Sequence, residues 1–218
     1  MNSFLRFPKG LYGVTPEWDD TDKLLDAVSA ATRGGMVALQ WRRKTALPET
    51  GLIQARRLAE HCRKLGLLFI VNDDWRLAAL IDADGVHLGR EDGSIAQARL
   101  ALGSEKIIGC SCYNQSALAA QALKADVDYI AFGAIYPSRV KPEAIRATLE
   151  DIRQGRALVE ASLTRPRVAV VAIGGITADN AAPVVQAGAD SIALISGLFE
   201  SNDIQATAAQ CAALFMSP

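Results

Sequence analysis

Eight short apolar segments rich in β-branched residues alternate along this chain with longer amphipathic ones, and that alternation constrains the fold more than any other feature. The strand candidates are Gly10 to Thr15, Met36 to Arg42, Leu68 to Asn72, Gly85 to Gly89, Ile107 to Cys112, Tyr129 to Ala134, Val168 to Gly174 and Ser191 to Ser196. Helix candidates lie between and after them at Asp20 to Arg33, Pro48 to Leu65, Trp75 to Ile81, Ser94 to Leu102, Gln115 to Lys124, Thr148 to Ser162, Thr177 to Ala187 and Asp203 to Phe215. In the seventh, Ala181, Val184 and Val185 follow helical spacing after a Thr177 N-cap, with Gly188 as the stop. Uninterrupted βα alternation predicts a parallel sheet covered by helices, and eight strands close into a (β/α)₈ TIM barrel, expected here as one domain over residues 1–218. An open doubly wound sheet competes, but its Gly-rich dinucleotide loop is missing from the first βα turn, Val14 to Trp18.

A repeated joint points the same way. Asp82-Ala83-Asp84-Gly85 precedes strand four and Ala187-Gly188-Ala189-Asp190 precedes strand eight, with Ala125-Asp126-Val127-Asp128 a glycine-free version before strand six. Such repetition indicates one unit copied around a circle.

Composition narrows the class of function. Lys plus Arg number 23 and Asp plus Glu 24, a net charge of −1 that argues against a general nucleic-acid binder or an anionic-membrane binder. No apolar run nears the roughly 18–20 residues of a membrane span, and Met1 to Gly10 has no signal-peptide core, so a cytoplasmic protein is expected. The four cysteines (Cys62, Cys110, Cys112, Cys211) read as packed thiols, Cys110 and Cys112 being too isolated for a metal site.

Barrel active sites lie at the C-terminal strand ends. After strand two, period-two alternation puts Gln40, Arg42 and Lys44 on one face and Trp41 and Arg43 on the other, so the first three form a clamp for a phosphate or diphosphate unless the charges are merely solvated. Carboxylates follow strand three, in Asn72-Asp73-Asp74, and strand four, in Gly89-Arg90-Glu91-Asp92-Gly93. They can share a Mg²⁺ ion with substrate phosphates, or serve as helix caps. Gly174-Gly175 after strand seven and Ser196-Gly197 after strand eight suit a second phosphate cradle, or a tight turn. The long loop after strand six, Gly133 to Pro142, reads as a lid in which Ser138 and Lys141 reach phosphate oxygens. His61 reads as solvated and His87 as a hydrogen-bonded core residue, which leaves Ser-His and Cys-His hydrolase arrangements without support. Two anion sites with a divalent ion between them favour joining two small phosphorylated substrates with loss of diphosphate.

The chain resembles the thiamine phosphate synthase family over nearly its whole length. The likeness runs through Leu11 to Thr15, Gln40 to Lys44, Asn72 to Asp74, Ala83 to Asp92, Gly109 to Ser111, Gly133 to Pro137, Ala172 to Thr177 and Ala187 to Asp190. It implies a transferase of thiamine biosynthesis that condenses hydroxymethylpyrimidine diphosphate with a thiazole phosphate carboxylate. It further implies that Gln40, Arg42, Lys44, Asn72 and Lys141 bind the pyrimidine diphosphate, that Asp73 and Asp92 hold Mg²⁺, and that Ser111 contacts the pyrimidine and the leaving group. Ser138, Arg139, Val140, Gly175, Ile195 and Ser196 would hold the thiazole phosphate, with Arg42, Lys44, Ser111 and Lys141 as the catalytic set. Within the superfamily the rival is the TenI-like branch, a thiazole tautomerase, regulator or ligand-binding barrel. That branch uses a strand-five histidine, where this chain has Cys112. A phosphosugar isomerase or epimerase is the rival from another class. Oligomeric state stays open, since faces such as those at Leu118 and Leu123 suit either a core or a homo-oligomer interface.

Overall fold

A computed structural model describes residues 4–45, 47–137, 145–162 and 166–216. Eight parallel strands, β1 (Gly10–Val14), β2 (Met36–Trp41), β3 (Leu68–Asn72), β4 (Gly85–Leu88), β5 (Ile107–Tyr113), β6 (Tyr129–Phe132), β7 (Ala169–Ile173) and β8 (Ser191–Leu194), pair in chain order and close on themselves. The helices are α1 (Thr21–Arg33), α2 (Pro48–Leu65), α3 (Trp75–Leu80), α4 (Ile95–Leu102), α5 (Ser116–Lys124), α6 (Leu149–Ala161), α7 (Ala182–Gln186), α8 (Ser196–Phe199) and α9 (Ile204–Ala213). The fold is the (β/α)₈ barrel that the alternation predicts.

Helix ends follow local chemistry. Asp20 caps α1 through Lys23 N at 3.0 Å, and Thr148 and Asp151 form a capping box at α6. The expected helix from Thr177 is corrected to Ala182–Gln186. Asn180 accepts from Thr177 N at 2.8 Å and donates to the Gly175 carbonyl at 3.0 Å, so an Asn-closed turn replaces the first helical turns. Strand eight ends at Leu194 instead of Ser196, because the chain turns at Ile195 into the short α8. His61 is half-buried between α1 and α2, its Nε2 2.7 Å from Ser29 Oγ, and so is paired where a solvated side chain is expected. Leu118 and Leu123 pack against the core.

The repeated Asp joint has a specific structural use. Asp84, Asp128 and Asp190 each accept from the N–H of the second residue of the preceding strand, Phe69, Ile108 and Val170, at 2.8, 2.8 and 2.9 Å. Each also donates its own N–H to that residue's carbonyl, at 3.0, 2.7 and 2.7 Å. The two bonds bracket β3, β5 and β7 at the N-terminal face, where strand polar groups would otherwise be buried unpaired. Asp128 pairs with Arg6 and Arg99, both at 2.9 Å, and Asp190 with Arg156 and Arg167, both at 2.7 Å.

Between strands and helices lies a continuous apolar shell that includes Val28, Leu58, Val86, Phe132 and Ile192. Inside the barrel, Phe7 plugs the bottom against Tyr129 and Tyr12, with ring centroids 4.2 and 5.0 Å away. A Cβ on Gly109 would stand 1.9 Å from the Tyr129 ring, so the glycine in β5 is what admits that ring to the axis.

Burial alone would raise the Asp190 carboxyl, but Arg167 and Arg156 hold it below the usual carboxylate range. Its stabilisation is therefore present above the unfolded-state value near pH ~4 and lost as pH falls through the lower folded value. Asp190→Asn is expected to cost about 3 kcal/mol at neutral pH, on the order of 6–12 °C in Tm. The deficit should shrink as the wild type is acidified, a difference that thermal unfolding followed by circular dichroism at several pH values will read.

Candidate active site

A cavity of about 570 Å³ opens at the C-terminal ends of the strands, a size that suits one or two small ligands. Its charged wall comes from β2 and the turn beyond it. Gln40 points inward, 5% exposed, and donates to Tyr12 Oη at 2.8 Å. Trp41 points outward, and its indole donates to Gln54 Oε1 on α2 at 3.1 Å. Past the strand end the alternation persists. Arg42 and Lys44 line the cavity, while Arg43 turns outward to Asp19 at 2.8 Å and to the carbonyl of Trp18.

The first βα loop holds this turn in place. Arg42 N donates to Thr15 Oγ1 at 2.8 Å, and that hydroxyl donates to the Arg42 carbonyl at 3.1 Å. Glu17 accepts from Lys44 N at 3.0 Å and from Thr45 Oγ1 at 2.9 Å, with the Arg42 guanidinium 3.5 Å away. Burial works to raise the Glu17 carboxyl, but these partners hold it below its ordinary value, so it stays ionised and keeps the turn bound at neutral pH. Glu17 is a functional-site residue that sequence reading passed over, since a lone glutamate in a loop carries no spacing signal.

Opposite stand two carboxylates. Asp73 is held in a left-handed conformation (φ 66°) with its N–H on the His87 carbonyl at 2.8 Å. Its neighbour Asp74 caps α3, accepting from Arg76 N and Leu77 N at 2.9 Å each, which leaves the Asp73 carboxylate to the cavity. Asp73 Oδ2 lies 3.3 Å from Lys44 Nζ. Asp92 accepts from Gly89 N at 2.7 Å, and a Cβ at Gly89 would stand 2.7 Å from the same carboxylate oxygen. Burial, and then the facing Asp73 carboxylate, push the Asp92 carboxyl above its usual range. Among the described residues no group of three or more His, Cys, Asp or Glu side chains could hold a metal. Two facing carboxylates nevertheless fit a hard divalent ion that takes its other ligands from phosphate and water.

Asn72, at the end of β3, lines the cavity between these two groups. Ser111 points into the barrel below the cavity wall, its Oγ 2.9 Å from His87 Nε2. Cys110 and Cys112 face the helices, buried, with sulfurs 4.0 Å apart. A bulge in the β5–β6 register between Ser111 and Tyr113 re-aims the strand, so that Tyr113 (φ 55°), Asn114 and Gln115 reach the wall. The Arg90 guanidinium lies 5.3 Å from the Tyr113 ring centroid. Strand alternation alone does not foresee these wall residues, because the bulge breaks the period.

On the far side Gly174 and Ile195 line the cavity, while Gly175 and Ser196 stand next to them outside its wall. Gly174 (φ 107°) and Gly175 (φ 63°) form the turn, and a Cβ on Gly175 would meet the Pro137 carbonyl at 2.5 Å. These glycines thus serve close backbone packing as well as any ligand. Of the expected lid, Gly133 and Ala134 line the cavity, while Ser138, Arg139, Val140, Lys141 and Pro142 lie outside the described residues.

Comparison with known proteins gives concordant matches. Residues 11–198 match the family model described as thiamine monophosphate synthase. The thiamine-phosphate synthase of Bordetella pertussis is 56% identical over 97% of each chain, and that of Thiobacillus denitrificans 48% identical over 96% of each. The solved thiamine phosphate pyrophosphorylase of Pyrococcus furiosus superposes with a TM-score of 0.80 at 32% identity, covering 96% of each chain.

Loss of the Glu17 tether should loosen the cationic turn without emptying it of charge. Glu17→Ala is expected to weaken binding of inorganic pyrophosphate about fivefold, with Tm changed little, as read by isothermal titration and thermal unfolding.

Proposed function

The chain belongs to the thiamine monophosphate synthase family, and from that premise we propose that its cavity joins hydroxymethylpyrimidine diphosphate to a thiazole phosphate carboxylate, releasing pyrophosphate. It is a transferase of thiamine biosynthesis. Among the described residues no helix is long and apolar enough to cross a membrane.

The observation that carries the reading at residue level is the contact of Lys44 with Asp73 at 3.3 Å, where the cationic wall and the carboxylate pair meet in one cavity. A site with both is matched to an anion that brings its own divalent counter-ion, which describes a diphosphate better than a monophosphate. Arg42 and Lys44 bind the diphosphate oxygens, with Gln40, Asn72 and Lys141 completing that subsite. Asp73 and Asp92 would hold Mg²⁺, which when bound would supply positive charge to offset that of the leaving diphosphate.

The bond that breaks joins the pyrimidine methylene to the diphosphate oxygen, and its electron pair leaves with pyrophosphate. An aminopyrimidine ring stabilises the benzylic-type cation left behind, so ionisation precedes attack by the thiazole nitrogen, which forms the new C–N bond. Arg42, Lys44 and Lys141 stabilise the charge that develops on the leaving group, and Ser111 donates to it or to the pyrimidine. Ser138, Arg139, Val140, Gly175, Ile195 and Ser196 hold the thiazole phosphate. No protein nucleophile is required.

A TenI-like tautomerase is not favoured. β5 carries no histidine: Cys112 is buried against the helices, and the residue beyond it that reaches the cavity wall is Tyr113.

Turnover of the two substrates, with thiamine phosphate detected by oxidation to fluorescent thiochrome, tests the reading. Product is expected with Mg²⁺ and none with EDTA, and Asp73→Ala and Asp92→Ala should each abolish Mg²⁺-dependent turnover in folded protein. Full activity in both variants would remove the metal assignment. Arg42→Ala is expected to weaken pyrophosphate binding about 30–100-fold, whereas Arg43→Ala should leave binding within about threefold and lower Tm instead. Equal loss of binding in the two variants would mean that the strand phase has been misassigned.

A further inference from the structure

The barrel axis holds five polar side chains, of which the proposed chemistry uses Gln40 and Ser111 and leaves Tyr12, Tyr129 and His87 unexplained. Gln40 Nε2 stands 2.8 Å from Tyr12 Oη, Tyr12 Oη 3.0 Å from Tyr129 Oη, Tyr129 Oη 2.9 Å from His87 Nδ1, and His87 Nε2 2.9 Å from Ser111 Oγ. Tyr12 and Tyr129 are fully buried, and Gln40 and His87 are nearly so. The first member lines the cavity on the diphosphate side, and the last lies beneath it on the opposite strand.

Proton counting gives this chain a direction. An amide nitrogen can only donate, so Tyr12 Oη accepts from Gln40; a buried hydroxyl proton left unpaired is costly, so Tyr12 gives its own to Tyr129 Oη, its other neighbour. Burial pushes both phenols above the usual tyrosine range, so each keeps a proton to give. Tyr129 then spends its own proton on His87 Nδ1, which must be bare. A neutral imidazole with a bare Nδ1 carries its hydrogen on Nε2, and that hydrogen points at Ser111 Oγ. Ser111 therefore accepts from His87 and retains its hydroxyl proton for a group above it.

We propose that His87 is a positioning residue for the synthase reaction: the one-way hydrogen-bond chain from Gln40 through Tyr12 and Tyr129 fixes its Nε2–H tautomer and thereby holds Ser111 as a donor toward bound substrate. The catalytic role of Ser111 in this inference rests on the synthase reading, while the proton order rests on geometry alone. The chain also accounts for Gly109, whose missing Cβ admits the Tyr129 ring that links the two halves. An apolar axis would fill the barrel without this glycine or the buried polar groups, which are costly when any one is left unpaired.

The protein has two histidines, so a His61→Gln variant assigns the ring nitrogens of His87 in long-range ¹H–¹⁵N correlation spectra of labelled full-length protein. At neutral pH, Nδ1 is expected to be unprotonated and Nε2 protonated. Tyr129→Phe, which removes the donor to Nδ1 and keeps the ring, should turn that single tautomer into a mixture. In the synthase assay His87→Gln, whose amide can accept from Tyr129 and donate to Ser111, should retain kcat within about threefold. His87→Leu should lose about tenfold or more in kcat, with KM for the diphosphate little changed. A proton on Nδ1, or a charged ring, overturns the proposal. So do equal losses in the Gln and Leu variants that track their Tm, since those would mark a packing role only. Wild-type protein that forms no thiamine phosphate would overturn the synthase reading, and the nitrogen shifts would still decide the proton order.

Discussion

Closing eight parallel strands leaves every strand paired on both edges, and the structure depends on that closure. A closed parallel sheet has an inside that must be filled by side chains, and an outside that must be covered by helices. Inward positions at the bottom are therefore taken by Phe7, Tyr12 and Tyr129, and outward positions by the Val, Leu and Ile that meet the helices. Only the top of the axis is released from filling, and there the same alternation presents Gln40, Asn72 and Ile195 to a cavity. The charged wall follows from the strand period continued three residues past β2, to Lys44.

That division explains how far the sequence could be read. Strand positions were legible because β-branched runs and Asp-containing joints recur, and β3 and α2 fall on their expected bounds. Gln40, Arg42 and Lys44 were legible for a related reason, since an outward Trp41 fixes the phase of its neighbours. The misreadings arose where a side chain captured the backbone. Asn180 closed the turn that Thr177 was expected to cap, and of the carboxylates in Asn72-Asp73-Asp74, for which capping and metal binding both stood open, Asp74 caps α3. Tyr113 escaped because a bulge in β5 shifts the period by one, and Glu17 because its partners, the Lys44 N–H and the Thr45 hydroxyl, stand 27 and 28 residues away.

The Asp73 position shows how conformational cost is concentrated at the mouth. A non-glycine residue at φ 66° is strained, and its N–H bond to the His87 carbonyl helps hold it there. The result is a carboxylate aimed across β4 toward Asp92 rather than down onto the helix that follows. Lys44 offsets the repulsion between the two acids from the other side. Charges of both signs are thus arranged before any ligand arrives, so little reorganisation is left for the moment of binding.

The Asp brackets have a mechanical consequence. They tie β3 to β4, β5 to β6 and β7 to β8 at the base of the barrel, each through the loop that enters the later strand. The seam between β1 and β2 is entered through Gly34 and Gly35 and is cinched at its opposite end, by the reciprocal bonds between Thr15 and Arg42 and by Glu17 on Lys44. Three quarters of the staves are hooped at the floor and the remaining quarter at the rim. The side-chain tie at the rim thus falls where the cationic turn sits, so the wall that carries Arg42 and Lys44 is anchored to the first βα loop as well as to its own strand.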